Sequence, residues 1–108
     1  MSVEPLKPVI LTSDDCQIMA EVRNGVDDVD RALVALLARR FGYMDAAARI
    51  KQSRDAVRDE ARKAQVIANV RREAVTRELP EELLAQLWDM LVEGSIAYEL
   101  DQWDNQRG

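Results

Sequence analysis

A long stretch without proline constrains this chain more than any other feature of its sequence. No proline occurs from Val9 to Leu79. From about residue 13 to about residue 52, apolar residues recur at the three- and four-residue intervals of one helix face: Ile18, Val22, Val26, Val29, Leu33, Leu36, Leu37, Phe41, Met44 and Ala48. This pattern predicts a first helix of about forty residues, ~60 Å long. A compact chain of this size has a radius of gyration of only ~13 Å, so we expect a second copy to cover the overhanging end.

The remaining sequence predicts two further helices. Ser13-Asp14-Asp15 offers N-capping side chains for the first helix, and residues 1–12 are interpreted as an irregular arm. Residues 53–59 break the periodicity and predict a loop before a second helix at about 59–78. Pro80, followed by two glutamates, predicts the start of a third helix. We therefore predict an all-α fold with three helices, a single helical domain over residues 13–108 and an intertwined homodimer.

Composition excludes several classes of protein. The net charge of −5 leaves no basic surplus for binding nucleic acid. No stretch approaches the length of a transmembrane helix, and the N-terminal residues lack a signal-peptide core, so we expect a cytoplasmic protein without membrane contact. A single cysteine suits a reducing compartment. Because histidine is absent, the commonest metal ligand and proton shuttle is missing, and we expect neither a metal nor a cofactor.

Two cations lie on one face of the predicted first helix. Lys51 follows Arg40 by eleven residues, which is ~1,100° of rotation and only ~20° from three full turns. Long side chains at these positions could hold one small anion between them. Arg23 lies seventeen residues before Arg40, ~25 Å away, so only another copy of the chain could add it to the same site. The alternative is a coiled-coil-like dimer with solvated arginines.

The order of these residues resembles the first helix of the all-helical chorismate mutases. The matching segments are Glu21-Val22-Arg23, Val29-Asp30, Leu33 to Leu37, Arg39-Arg40 and Lys51. Weaker matches follow at Val57-Arg58-Asp59 with Arg62, and at Val92-Glu93-Gly94-Ser95 with Glu99. The resemblance covers residues from about Asp14 to Trp103, and its terminal parts are also similar to the isochorismate-pyruvate lyase branch of the family.

The resemblance implies a dicarboxylate substrate, chorismate, that rearranges to prephenate in two sites of a homodimer. It implies that Arg40 and, from the partner chain, Arg23 hold carboxylates. Lys51 would bind a carboxylate and the ether oxygen, and Glu99 would face that oxygen from the other side. The remaining substrate contacts would come from Asp59, Arg62 and Ser95. From the residues alone, Asp59 could equally be a helix cap, Arg62 an exposed helix charge and Ser95 a small residue where helices cross.

Two residues depart from the mutase pattern. Bacterial members usually carry glutamine at Glu99, and an ionised carboxylate there would repel a dianionic substrate, whereas a protonated one could donate a hydrogen bond. We therefore predict that activity rises as pH falls toward about 5 and that Glu99→Gln flattens this profile. Lys63 replaces a glutamate that binds the ring hydroxyl in mutases, which leaves room for isochorismate. Ser95 favours the mutase, because the lyase carries a bulkier aromatic residue there.

Three functions are therefore open. Chorismate mutase is the first expectation, and isochorismate-pyruvate lyase, which forms salicylate, is the close alternative. The alternative of another class is a non-catalytic helical dimerisation or regulatory module, in which Arg40→Ala would leave function intact.

Overall fold

The regular structure of the chain is helical throughout the part that the computed structural model describes, residues 11–108. Three α-helices follow one another: α1 at Met19–Ile50, α2 at Glu60–Thr76 and α3 at Glu81–Arg107. Short 3-10 turns precede α1 at Ser13–Asp15 and α2 at Arg54–Ala56, and no strand occurs within residues 11–108. The predicted all-α class with three helices is confirmed. Most of the predicted N-terminal arm, residues 1–10, lies outside the described residues.

The predicted start and length of α1 are wrong. The Ser13–Asp15 side chains do not cap α1, because the segment forms its own turn, in which the Thr12 hydroxyl donates to Asp15 Oδ2 at 2.9 Å. Glu21 caps the helix instead, and its Oε1 accepts the backbone N–H groups of Gln17 and Ile18 at 3.0 and 3.2 Å. The helix therefore has 32 residues rather than forty, a length of ~48 Å.

The second helix begins and ends through local capping. Asp59 is the N-cap, and its carboxylate accepts the Arg62 backbone N–H at 3.0 Å. At the other end, Glu78 has a positive φ of 58°, while the N–H groups of Glu78 and Leu79 donate to the carbonyls of Val75 and Ala74. These bonds form a Schellman motif, so α2 ends at Thr76, two residues before the predicted end.

The chain divides into two compact units, one reaching Arg39 and the other Arg40–Gly108, with the boundary inside α1. In the second unit α2 packs on α3, and the buried apolar residues are small: Ala48, Val57, Ala74, Ala85 and Val92. Phe41 meets Tyr98 edge to face at 4.9 Å, and the Tyr98 hydroxyl donates to Asp45 Oδ1 at 2.6 Å. These contacts join the C-terminal part of α1 to α3.

The first unit exposes the apolar face of α1. Nine aliphatic and methionine side chains from Ile18 to Leu37 are between 38% and 65% exposed: Ile18, Met19, Val22, Val26, Val29, Leu33, Val34, Leu36 and Leu37. Their exposure is consistent with the predicted homodimer, which stays a prediction, as does the single-domain boundary at residue 13. Among the described residues, the helices are too polar or too short to cross a membrane.

Candidate active site

A pocket in the second unit gathers most of the predicted site residues. Its volume is about 340 Å³, and α1, the connector before α2, α2 and α3 all contribute to its walls. Its polar lining consists of Arg40, Lys51, Asp59, Arg62, Lys63, Ser95 and Glu99. Six of the seven residues proposed from the sequence therefore surround one cavity. Arg23 is not among them, since it lies in the first unit and is exposed.

The eleven-residue spacing places Arg40 and Lys51 on the same pocket, as the helical geometry predicts. Lys51 follows the last residue of α1, and its backbone N–H still donates to Ala47 O at 2.9 Å, so it continues the helical rise. Its Nζ donates to Glu99 Oε2 at 2.8 Å and approaches the Val57 carbonyl at 3.4 Å. The ammonium group is thereby fixed between α3 and the connector.

The third helix supplies one face of the pocket. Val92, Ser95 and Glu99 recur at three- and four-residue intervals, so their side chains leave the same side of α3. Glu99 is only 4% exposed and Ser95 only 3%. Burial of a carboxylate requires a compensating partner, and Lys51 provides it.

The Arg40 guanidinium lies against the Ser95 hydroxyl. Ser95 Oγ donates its proton to Leu91 O at 2.7 Å and accepts from Arg40 Nη1 at 2.6 Å. Burial, and then the positive charge of nearby Arg62, lower the pKa of Arg40 from its usual value. The group nevertheless remains protonated at neutral pH, since arginine titrates so far above it. The two guanidinium groups therefore repel each other across this pocket. A bound anion would reduce this repulsion.

Arg62 and Asp59 combine structural contacts with a position on the pocket. Asp59 caps α2, which confirms its interpretation from the sequence as a helix cap. This contact uses Oδ1 and not Oδ2. Arg62 Nη1 donates to Gln65 Oε1 at 2.6 Å. Within residues 11–108, neither Arg62 nor Arg40 forms an ion pair with a carboxylate.

Sequence reasoning missed an ion-pair cluster at the rim of the pocket. Glu93 accepts two hydrogen bonds from Arg58, at 2.8 and 3.1 Å, and one from Lys63 Nζ at 2.9 Å. Lys63 Nζ also lies 2.9 Å from Asp89 Oδ1. The hydrogen bonds from Arg58 and Lys63 lower the pKa of Glu93 to about 2, and those to Asp89 and Glu93 raise the pKa of Lys63.

The cluster ties the connector and α2 to α3. No spacing signal could have revealed it, because its members lie on three separate segments of the chain. Lys63, which the sequence analysis singled out as a departure from the mutase pattern, lines the pocket, and its ammonium group binds two carboxylates of α3.

The arrangement suits the binding of a small anion with two negative groups. Arg40 and Arg62 supply two guanidinium groups that have no carboxylate partner in the described part of the chain, and arginine pairs with a carboxylate through two parallel hydrogen bonds. The Lys51–Glu99 pair adds a donor whose position is fixed. Among the described residues, no group of three or more histidine, cysteine, aspartate or glutamate side chains is placed to hold a metal ion.

Comparisons with known proteins agree with the resemblance seen in the sequence. The sequence model of the family described as chorismate mutase type II matches residues 22–100. A curated protein named isochorismate pyruvate lyase, from Pseudomonas aeruginosa, is 30% identical over 97 residues, which cover 90% of this chain and 96% of that protein. The chain belongs to the chorismate mutase type II family.

Proposed function

We propose that this chain is a chorismate mutase, which rearranges chorismate to prephenate. The observation that supports it best is the pair of guanidinium groups, on Arg40 and Arg62, that face one pocket of about 340 Å³ and form no ion pair with a carboxylate of residues 11–108. Chorismate carries two carboxylates, and a pocket of this size suits a ligand of a single ring and one side chain. Family membership makes this substrate class the first one to test.

The reaction breaks a C–O bond and forms a C–C bond in one concerted step. It requires no nucleophile, so the pocket must hold the substrate in a compact conformation and stabilise negative charge on the ether oxygen. We assign the first task to Arg40, Arg62 and Ser95, which would hold carboxylates, and to Asp59, which would contact the ring hydroxyl. Lys51 would perform the second task by donating to a carboxylate and to the ether oxygen.

Glu99 would control how well the ether oxygen is stabilised. Its carboxylate lies 2.8 Å from Lys51 Nζ, so in its ionised form it competes with the substrate for that ammonium. When protonated, it would donate a hydrogen bond to the ether oxygen and release Lys51. Activity should then increase toward acidic pH, as we predict from the sequence.

A second copy of the chain would complete the site. The exposed apolar face of α1 is a continuous hydrophobic surface on one helix, and surfaces of this kind mark interfaces. We assign this face to an intertwined homodimer, in which the partner chain contributes Arg23 as a third cation for the substrate. The identical faces of two copies meet the requirement for a twofold interface.

The second candidate function is isochorismate-pyruvate lyase. It is favoured by the relative of that name, which aligns over 96% of its own length. Lys63 also favours it, since its side chain is bound to Asp89 and Glu93 and cannot accept a hydrogen bond from a ring hydroxyl. Both reactions break the same ether bond and would use the same cations.

Incubation with each substrate separately distinguishes the candidates. Prephenate formed from chorismate would support the mutase, and salicylate with pyruvate formed from isochorismate would support the lyase. Arg40→Ala should lower either activity by more than ~100-fold, because the loss of one charge-assisted contact to a buried carboxylate costs about 3 kcal/mol. Arg77→Ala is the control, since among residues 11–108 the Arg77 side chain pairs with Glu73 on α2 and does not line the pocket. Turnover of neither substrate would instead favour a non-catalytic module.

A further inference from the structure

The C-terminal turn of α3 contacts the C-terminal end of α1 through one guanidinium group. Arg107 Nη1 donates to Ala48 O at 3.0 Å. Its Nη2 donates to Lys51 O at 2.7 Å and approaches Arg49 O at 3.4 Å. The last carbonyls of a helix lack intrahelical donors, so Arg107 satisfies groups that would otherwise need water. Its positive charge also suits the negative end of the helix dipole.

Trp103 completes this contact. The Arg107 guanidinium carbon lies 4.3 Å from the centroid of the Trp103 ring, a cation–π geometry that limits its movement. The indole Nε1 donates to Lys51 O at 3.0 Å. The carbonyl of Lys51 therefore accepts two hydrogen bonds, from Trp103 and Arg107, and both of its lone pairs are used.

One face of α3 both lines the pocket and makes the contact with the end of α1. Glu99, Trp103 and Arg107 follow one another at four-residue intervals, so they lie along one side of the helix. Glu99 binds the Lys51 side chain, and the other two residues bind its backbone. Lys51 is thus held at both ends by a single helix. Its N–H still makes the helical bond to Ala47 O, but its carbonyl lies just beyond α1 and accepts its hydrogen bonds from α3.

We propose that Arg107 is a positioning residue, which holds the Lys51 backbone so that the ammonium group reaches the substrate and Glu99 together. This inference rests on the proposed function, in which Lys51 stabilises the ether oxygen. Arg107 acts from outside the pocket lining and touches no reacting atom. Displacement of a catalytic group by about 1 Å can cost up to ~100-fold in rate, so loss of this contact should affect turnover more than binding.

Steady-state kinetics of three variants test the proposal. Arg107→Ala should lower kcat about tenfold, with a smaller change in KM. Arg107→Lys keeps a charged donor but has no planar fork for several carbonyls, so its kcat should be intermediate. Arg77→Ala removes an exposed guanidinium elsewhere and should match the wild type. Wild-type kcat in Arg107→Ala, or a loss no greater than the loss of folded protein measured by circular dichroism, would overturn the proposal.

Hydrogen exchange supplies a readout that does not depend on turnover. The backbone amides of residues 47–57 should exchange faster in Arg107→Ala than in the wild type, while those of α2 should not change. If the wild type turned over neither substrate, the proposed function would fail, but faster exchange in this segment would still support the backbone contact. Unchanged exchange in residues 47–57 would overturn the positioning role in either case.

Discussion

Replacement of Lys51 by methionine should destabilise the fold, because it leaves a buried carboxylate without its charge partner. Glu99 is 4% exposed, and Lys51 is its ion-pair partner within residues 11–108, at 2.8 Å. At this separation the attraction is about 6 kcal/mol for an effective dielectric constant of ~20. Removal of one member of a buried pair costs ~3–5 kcal/mol. Because the Lys51 side chain is 30% exposed and water reaches it, we expect a loss of about 3 kcal/mol.

Urea unfolding followed by circular dichroism measures this loss. All samples need one protein concentration, because the stability of an oligomer depends on it. The double variant Lys51→Met/Glu99→Gln should be more stable than Lys51→Met alone, since the amide carries no charge to leave unpaired. A Lys51→Met protein within ~0.5 kcal/mol of the wild type, or a double variant no more stable than the single one, would refute the reasoning.

Three further predictions follow from the charges and the backbone. The rate should rise as pH falls toward about 5 and become nearly flat in Glu99→Gln, and a wild-type rate that is constant from about pH 5 to 8 would contradict this. The pKa of Glu93 is lowered to about 2, so its contribution to stability is complete above its unfolded value of 4.5 and is lost as pH falls from there toward 2. Glu93→Gln should therefore reduce the fall in Tm over this acidic range, and an unchanged slope would count against the ion-pair cluster. Glu78→Gly should stabilise the chain by about 0.5–1 kcal/mol in urea unfolding, because glycine adopts a φ of 58° without strain, and Glu78→Ala should not.

The sequence predicts those features that depend on regular helical spacing. The apolar period gives α1, and the eleven-residue interval correctly places Arg40 and Lys51 on one pocket. Pro80 and the acids after it give the start of α3. Each of these features is determined by neighbours within a few turns, where propensity and geometry agree.

Features that depend on competition between local contacts were harder to predict. Ser13-Asp14-Asp15 has the composition of a helix cap, but its side chains serve a separate turn, and Glu21 caps α1 from inside the helix. Glu78 occupies a left-handed position that favours glycine, so nothing in its side chain indicated the end of α2. The first difference arises because several polar residues could satisfy the same backbone groups. The second arises because backbone N–H groups, and not a side chain, close the end of α2.

Contacts between distant segments gave no signal where the family resemblance did not indicate them. The bonds of Glu93 to Arg58 and Lys63 span 35 and 30 residues, and those of Arg107 to Ala48 and Lys51 span 59 and 56. Such pairs depend on how the helices cross, and the crossing cannot be read from the spacing of residues in a single sequence. The bonds of Arg107 hold the backbone of the proposed catalytic lysine, so this part of the site required the structure.

Subunit mixing tests most directly whether two copies of the chain share each site. Arg23→Ala and Arg40→Ala homodimers should each be inactive, because every site lacks one cation. Unfolding and refolding them together should form mixed dimers with one intact site, which takes Arg40 from one chain and Arg23 from the other. Random pairing then predicts recovery of about a quarter of the wild-type activity. No recovery in a mixture shown to contain mixed dimers, or full activity of Arg23→Ala alone, would contradict the account.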